Sequence, residues 1–479
     1  MAEELYYATI PELSQKLQSR DVSARDLVKL FGERLEQIGP RYNALALSLR
    51  KDAEKFAKDV DDDLKRQRFR GPLQGIPYGA KDLLAVKGHV TAWGARPFAD
   101  QIFDYDATAV ARLNKHGAPV LAKLAMVELA GGPSYRYASA SISGPGLNPW
   151  DTTRWSGGSS SGSAIAVAAG LVPFALGSET VGSIVTPSAF CGVTGLRPTY
   201  GLVSRYGAMP LSWTLDKIGP IAHTAEDCGL VLQAIAGKDS HDPASAGKSF
   251  YYAPQYARDL KEVRVGFATV DFDEWADPAA RPDFGKAIDT LRLMGLQMTA
   301  AKLPVFPYGP VTGTVVAAEG SSVFQELIVS GRVNQLADPL QIAGLKEGLR
   351  IPASDYLRAM RIRRLVVDAF RDLLADIDVL LAPARLGPAP PVNEPLDRPH
   401  GDRSHAPADP GLTALIAASN LAGLPALVLP CGFAGGLPIG IQLVGRAFTE
   451  NTLLAIGKEF QNRTDWHRRH PPAAPQSAA

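Results

Sequence analysis

Cysteine is scarce: only Cys191, Cys228 and Cys431 occur in 479 residues, far apart and in small or apolar surroundings. That spacing supports neither a disulfide framework nor a cysteine zinc site, and it fits a reducing compartment. Long apolar runs are missing too, so no stretch reads as a membrane span. The opening MAEELYYATI has no basic stretch leading into an apolar core, which argues against a secretory signal. Neither sign of charge is in excess, since 50 Lys and Arg face 49 Asp and Glu for a net +1. No basic stripe suited to a polyanion results. The cluster Arg361, Arg363 and Arg364 sits beside Leu365, Val366 and Val367, as the wet face of an amphipathic helix would. These absences predict a cytoplasmic protein with neither membrane nor nucleic acid as partner.

Histidine is present eight times but in the wrong company for catalysis. His400, His405, His467 and His470 fall in polar loop or tail sequence, His116 closes a helix, and His89, His223 and His241 match no hydrolase motif. A histidine base for a serine nucleophile is therefore not supported.

What the chain does have is a stretch from Arg154 to Thr199 in which two serine turns share one segment. Gly157-Gly158-Ser159-Ser160-Ser161-Gly162-Ser163 could be a flexible linker by composition. Its flanks, Ala164 to Ala169 and Val172 to Leu176, are apolar, so the loop opens into buried helix and strand instead. A phosphate cradle would need a lysine after the glycines, and none occurs between Lys123 and Lys217. A nucleophile elbow centred on Ser160 fits the G-x-S-x-G spelling but requires a strand just before it. Residues 145–157 carry turn formers and two prolines there. The third reading joins the two serine turns to Gly75-Ile76-Pro77-Tyr78-Gly79-Ala80-Lys81-Asp82 upstream.

On these residues the chain resembles the amidase signature family, which pairs a lysine in such a Gly-Ile-Pro stretch with a Gly-Ser loop and a second Gly-Ser turn. The resemblance extends to Asn148-Pro149-Trp150-Asp151, to Cys191 through Thr199, to Leu215-Asp216-Lys217-Ile218-Gly219-Pro220, and to Gly423 through Arg446. It is weakest over residues 240–350 and 383–411. The resemblance implies an α/β fold: one large domain over 1–470, a mixed twisted sheet covered by helices on both faces, with a signature core at about 71–220. Residues 240–350 and 383–411 are expected to shape the substrate pocket, and 471–479 to be a disordered tail.

Periodicity agrees with an alternating α/β chain. Ser23 and Asp26 spell a capping box ahead of Leu27, Phe31, Leu35 and Ile38, and a helix is expected over 52–66. Further helices are expected at 107–116, after Thr224, and at 284–294, 355–374 and 451–461. Strands are expected at 119–124, 263–267, 377–381, 427–430 and 439–443. Proline-rich 383–411 reads as a surface loop bordering the site.

The resemblance places the catalytic set on Lys81, on Ser159 preceded by a cis peptide, and on Ser183 as nucleophile. Lys81 beside Leu83, Leu84 and Val86 has an apolar setting of the kind that lowers a lysine pKa and makes it a base. Ser159 would relay the proton from Ser183 to Lys81, and backbone N–H groups of Thr180, Val181, Gly182 and Ser183 would hold the oxyanion. Ala130, Gly131, Gly132, Pro133 and Ser134 would line the acyl pocket, with Tyr135 beside them. No metal or cofactor is implied. The second turn departs from the family pattern: Glu179 stands for the usual aspartate, Val181 for a glycine and Val185 for an arginine. The implied activity is carbon–nitrogen bond hydrolysis on small-molecule amides, with esters and carbamates tolerated, in a homodimer. The pocket is expected to prefer uncharged apolar or aryl groups. The alternative is the glutaminase subunit of a tRNA-dependent amidotransferase. Against it stand Thr413, seven residues before Asn420 where that subunit has an aspartate, and the absence of a basic residue in 338–345.

Overall fold

The computed structural model describes residues 2–132, 135–396 and 407–472. Pro133, Ser134, His400, His405 and residues 473–479 of the expected tail lie outside that range. Within it the strands in chain order are β1 (Leu45–Ser48), β2 (Tyr78–Lys81), β3 (Val120–Leu124), β4 (Leu147–Asn148), β5 (Asp151–Trp155) and β6 (Phe174–Glu179). They continue with β7 (Thr194–Arg197), β8 (Lys217–Ala222), β9 (Arg264–Phe267), β10 (Gln297–Ala300), β11 (Val379–Pro383), β12 (Ala426–Ala434) and β13 (Leu437–Gly445). Eleven of them make one sheet in the order β1-β3-β2-β6-β8-β7-β12-β13-β11-β9-β10, and β4 and β5 pair by themselves.

The sheet is mixed, as expected. β2 runs parallel to β3 and β6, β11 parallel to β9, and β9 parallel to β10. The middle, from β6 through β8, β7, β12 and β13 to β11, is antiparallel throughout. β12 and β13 are joined by Gly435 and Gly436, both at positive φ (57° and 81°). This two-residue turn suits right-twisted strands and is open to glycine without strain. Helices pack on the sheet: Ser161–Ala168 against β6, β8, β2 and β3, and Val185–Cys191 against β13, β12 and β7. One contiguous apolar core runs from Ala8 to Phe460.

Most expected elements form, some with shifted ends. The capping boxes at Ser23–Asp26 and Thr224–Asp227 are made. The helices span Arg50–Lys65, Thr108–Lys115, Arg281–Leu293, Ala353–Asp376 and Glu450–Arg463. Tyr308–Val323 is a helix that periodicity hides, because its glycines and β-branched residues spell no stripe. The absence of a strand before the serine loop is corrected: β5 forms there, with Thr152, Thr153 and Trp155 suiting a pleated strand. Among the described residues no helix is long and apolar enough to cross a membrane.

Candidate active site

Lys81 is the last residue of β2, and β6 beside it carries Ser178 one residue before its end. The lysine side chain is fully buried. Its Nζ lies 2.8 Å from Ser159 Oγ, 3.0 Å from Ser160 Oγ and 2.9 Å from Ser178 Oγ. No carboxylate forms an ion pair with it among the described residues. Burial brings its pKa down to about 7, against a weaker upward pull from Asp216 and Glu179. Ser160 Oγ donates to Ser178 O at 3.1 Å and accepts from Ser178 N at 3.2 Å. Its hydroxyl is therefore held inside the protein by lysine and strand, which removes it as an exposed elbow nucleophile even though a strand precedes it.

The serine loop is tied down at both ends. Gly157 has φ +82°, and a Cβ there would stand 2.6 Å from Pro187 Cα, so only glycine fits. The Gly158–Ser159 peptide is cis, as the resemblance implied. Val127 N donates to Ser159 O at 3.1 Å, and Ser160 N donates to Ser183 O at 3.3 Å. That second bond joins the two serine turns directly.

Ser183 sits at the far end of this contact, 7% exposed, with no hydrogen-bond partner for its hydroxyl among the described residues. The Lys81–Ser159 contact is thus made, while the Ser183 hydroxyl has no partner among the described residues. In the turn before it only Gly182 has positive φ, at 83°. Val181 is not in the left-handed region, which is why a β-branched residue is tolerated there. Glu179, fully buried, accepts from Ile184 N at 2.8 Å and Val185 N at 3.0 Å, and from Arg197 Nη1 at 2.7 Å and Asn420 Nδ2 at 2.8 Å. Burial opposes its ionisation, but Arg197, Lys217 and these hydrogen bonds outweigh that and hold its pKa at about 2. Glu179 therefore braces the start of the helix that follows Ser183. The opposing charge comes from β7, where Arg197 is itself fully buried.

The turn expected to line the acyl pocket has an uncommon backbone: Leu129, Ala130, Gly131 and Gly132 all have positive φ (48°, 56°, 100° and 52°). For Leu129 and Ala130 this costs on the order of 1–2 kcal/mol each. Glu128 holds the turn by accepting from Ala337 N and Asp338 N, and Gln341 Nε2 donates to Glu128 O at 2.9 Å. The weakly matching 338–345 segment thus packs on this turn. Tyr135 stands over it: a Cβ on Gly131 would meet its ring at 2.6 Å, and one on Gly158 its hydroxyl at 3.3 Å.

A cavity of about 190 Å³ opens beside Ser178 and Thr180, walled by Ala130, Met209, Trp213 and Lys217 among others. His241 and Asp242 reach it from the 240–350 region. His241 is bonded to Asp239, and no histidine bonds a serine of the site among the described residues. From the 383–411 region, residues 389–396 lie by β5 and the Tyr135–Trp155 contact, with Trp155 N donating to Pro390 O, while Asp409 O accepts from Trp275 Nε1. The sequence reading missed Ser178, Arg197, Asp216 and Lys217. For Ser178, Arg197 and Lys217 the signal was a polar residue in a buried strand, and Asp216 directly precedes β8.

The family model described as Amidase matches residues 26–454. This chain belongs to the amidase signature family. One of the glutamyl-tRNA(Gln) amidotransferase subunits, from Methylococcus capsulatus, is 36% identical over 98% of the chain and 99% of its own length. The native peptide amidase of Stenotrophomonas maltophilia superposes with TM-score 0.82 at 30% identity, covering 97% of this chain and 98% of the other. A chain described as part of a vestigial protein complex, tied to the origins of an s-triazine catabolic enzyme, has TM-score 0.86 at 31% identity, with 95% and 98% covered. The amidase fold and carbon–nitrogen hydrolysis as the activity class follow. The expectation of a small-molecule substrate alone, without nucleic acid, is corrected by these relatives. Those at 33–36% identity are named as subunits of a glutamyl-tRNA(Gln) amidotransferase. Even charge across the chain misses this, because one member of an assembly need not itself present a basic stripe.

Proposed function

We propose that this amidase cleaves a carboxamide through an acyl-enzyme at Ser183, with Lys81 as base, Ser159 as proton relay and the N–H groups of Thr180, Val181, Gly182 and Ser183 around the oxyanion. The observation that carries the reading is the buried Lys81 Nζ at 2.8 Å from Ser159 Oγ, with Ser160 and Ser178 taking its other two contacts. A neutral amine has two N–H groups and one lone pair. With Ser160 and Ser178 as acceptors for the N–H groups, the lone pair is left for the Ser159 proton. The carbonyl carbon gains the Ser183 oxygen, the relay returns the proton to the leaving amine, and water then repeats the sequence to free the acid.

For the substrate, the named relatives support the glutaminase subunit of a tRNA-dependent amidotransferase, in which glutamine is cleaved inside an assembly. A second reading, an amidase for uncharged amides, has its own observation. Thr413 is exposed and donates to Pro410 O, so no carboxylate stands there for a glutamine amine. Comparing kcat/KM on glutamine, with and without the other amidotransferase subunits, against an aryl anilide separates the two. Glutamine turnover that appears only with the partners supports the first reading, and anilide turnover by the chain alone with none on glutamine supports the second. Full activity of Ser183→Ala on either substrate would sink the shared mechanism.

A further inference from the structure

Lys217 opens β8 directly across from Glu179, and the mechanism above makes no use of it. It is 2% exposed and lines the cavity beside Ser178 and Thr180. Its one recorded acceptor among the described residues is Asn420 Oδ1, at 2.6 Å. A neutral amine brings two N–H groups and an ammonium three, so at least one buried donor is left over. Leaving a buried donor unpaired is costly.

The neighbouring carboxylates do not fill the need. Glu179 is spent on Arg197, Asn420 and two backbone N–H groups. Asp216 is spent on Thr180 Oγ1, Leu211 N and Ser212 N. Neither forms an ion pair with Lys217 among the described residues. The other cation on the cavity wall, Arg205, is committed to Asp242 and to Trp213 O. Lys217 is therefore an incompletely used donor on the wall of a largely apolar cavity, and that cavity also borders Ser178, which bonds Lys81 Nζ.

We propose that Lys217 fixes the acyl part of the substrate by donating to an sp2 oxygen, carbonyl or carboxylate, set away from the scissile amide. The proposal rests on the amide-hydrolase reading and narrows it to acyl groups that carry a second oxygen function.

The test uses the full chain and three matched p-nitroanilides: of butyric acid, of succinic acid with its far carboxylate free, and of the same acid with that group as a carboxamide. Wild type is expected to prefer at least one oxygen-bearing substrate over the butyryl one. In Lys217→Met that preference, as a ratio of kcat/KM, should fall about 10- to 100-fold, mostly through KM. Lys217→Gln keeps an N–H donor and should lose less than about 5-fold of it. A larger fall on the carboxylate identifies an acid end, and a larger fall on the carboxamide identifies a carbonyl end. A wild type without the preference overturns the proposal, and so does a Lys217→Met that slows all three substrates equally. Those outcomes leave the mechanism standing, whereas Ser183→Ala turning over the butyryl anilide would remove the mechanism itself.

Discussion

Lys81 shows how one side chain can be read early and still be under-described. Its apolar neighbours Leu83, Leu84 and Val86 are visible in the sequence, and burial does lower its pKa, to about 7. What no spacing reveals is that three serines from two elements converge on its Nζ, because Ser178 comes from a strand 97 residues away. The sign of the resulting pH dependence is fixed. The proposed base works as free amine, so kcat/KM should climb tenfold per pH unit below about 7 and level off above it. A profile flat from pH 5 to 8 would exclude this lysine as the base. Ser159→Ala should lower kcat on the order of 10²- to 10⁴-fold, with an unchanged thermal transition to show that the loss is chemical. Lys81, Ser159 and Ser183, the three residues proposed as catalytic, were legible because the motifs around them are local. Lys217 and Arg197 were not, since a charged residue in an apolar strand says that it is buried without saying what it faces.

At the scale of elements, the second serine turn stands on a buried charge network. Glu179 ends β6, Arg197 ends β7, Lys217 begins β8, and Asn420 lies on the helix Leu415–Leu421. Val181 and Val185 looked in the sequence like changes to pocket lining. In the fold they go with a brace in which Glu179 holds the two N–H groups after Ser183 and Arg197 supplies the opposing charge. Removing one partner leaves the other buried and unpaired, so Glu179→Gln should cost about 3–5 kcal/mol of stability. It should also lower kcat, because the oxyanion turn loses its anchor. The sign with pH follows from a depressed carboxyl pKa. The Glu179 contribution is fully present above its ordinary value near 4.5 and is lost as pH falls through about 2. Urea midpoints of wild type and Glu179→Gln should therefore converge as the buffer is taken from pH 6 toward pH 2. A gap that stays constant over that range would mean the carboxylate charge is not what braces the turn.

The whole molecule is organised against the order in which the chain is made. β12 and β13 come last among the strands, yet they occupy the middle of the sheet, with β7 on one side and β11 on the other. Until they arrive, β1, β3, β2, β6, β8 and β7 form one half-sheet with an open edge, and β11, β9 and β10 form another. The sequence showed the C-terminal strands as short apolar runs and could not show their place, because strand order is set by long-range pairing such as Leu427 with Leu196. Arg197 Nε donating to Leu424 O and Arg197 Nη2 donating to Ser419 Oγ stitch the same late segment to the catalytic turn. A chain ending at residue 410 therefore lacks the two long strands that join the halves, two of the acceptors of Arg197, and the end of a core that runs to Phe460. We expect such a chain to be inactive, to be degraded under proteolysis that leaves the full chain intact, and to show no cooperative thermal transition. The full chain, whose core spans both half-sheets, should show a cooperative one. A protected, cooperatively melting fragment from the truncated chain would mean that the N-terminal half-sheet folds by itself and that the late hairpin only docks onto it.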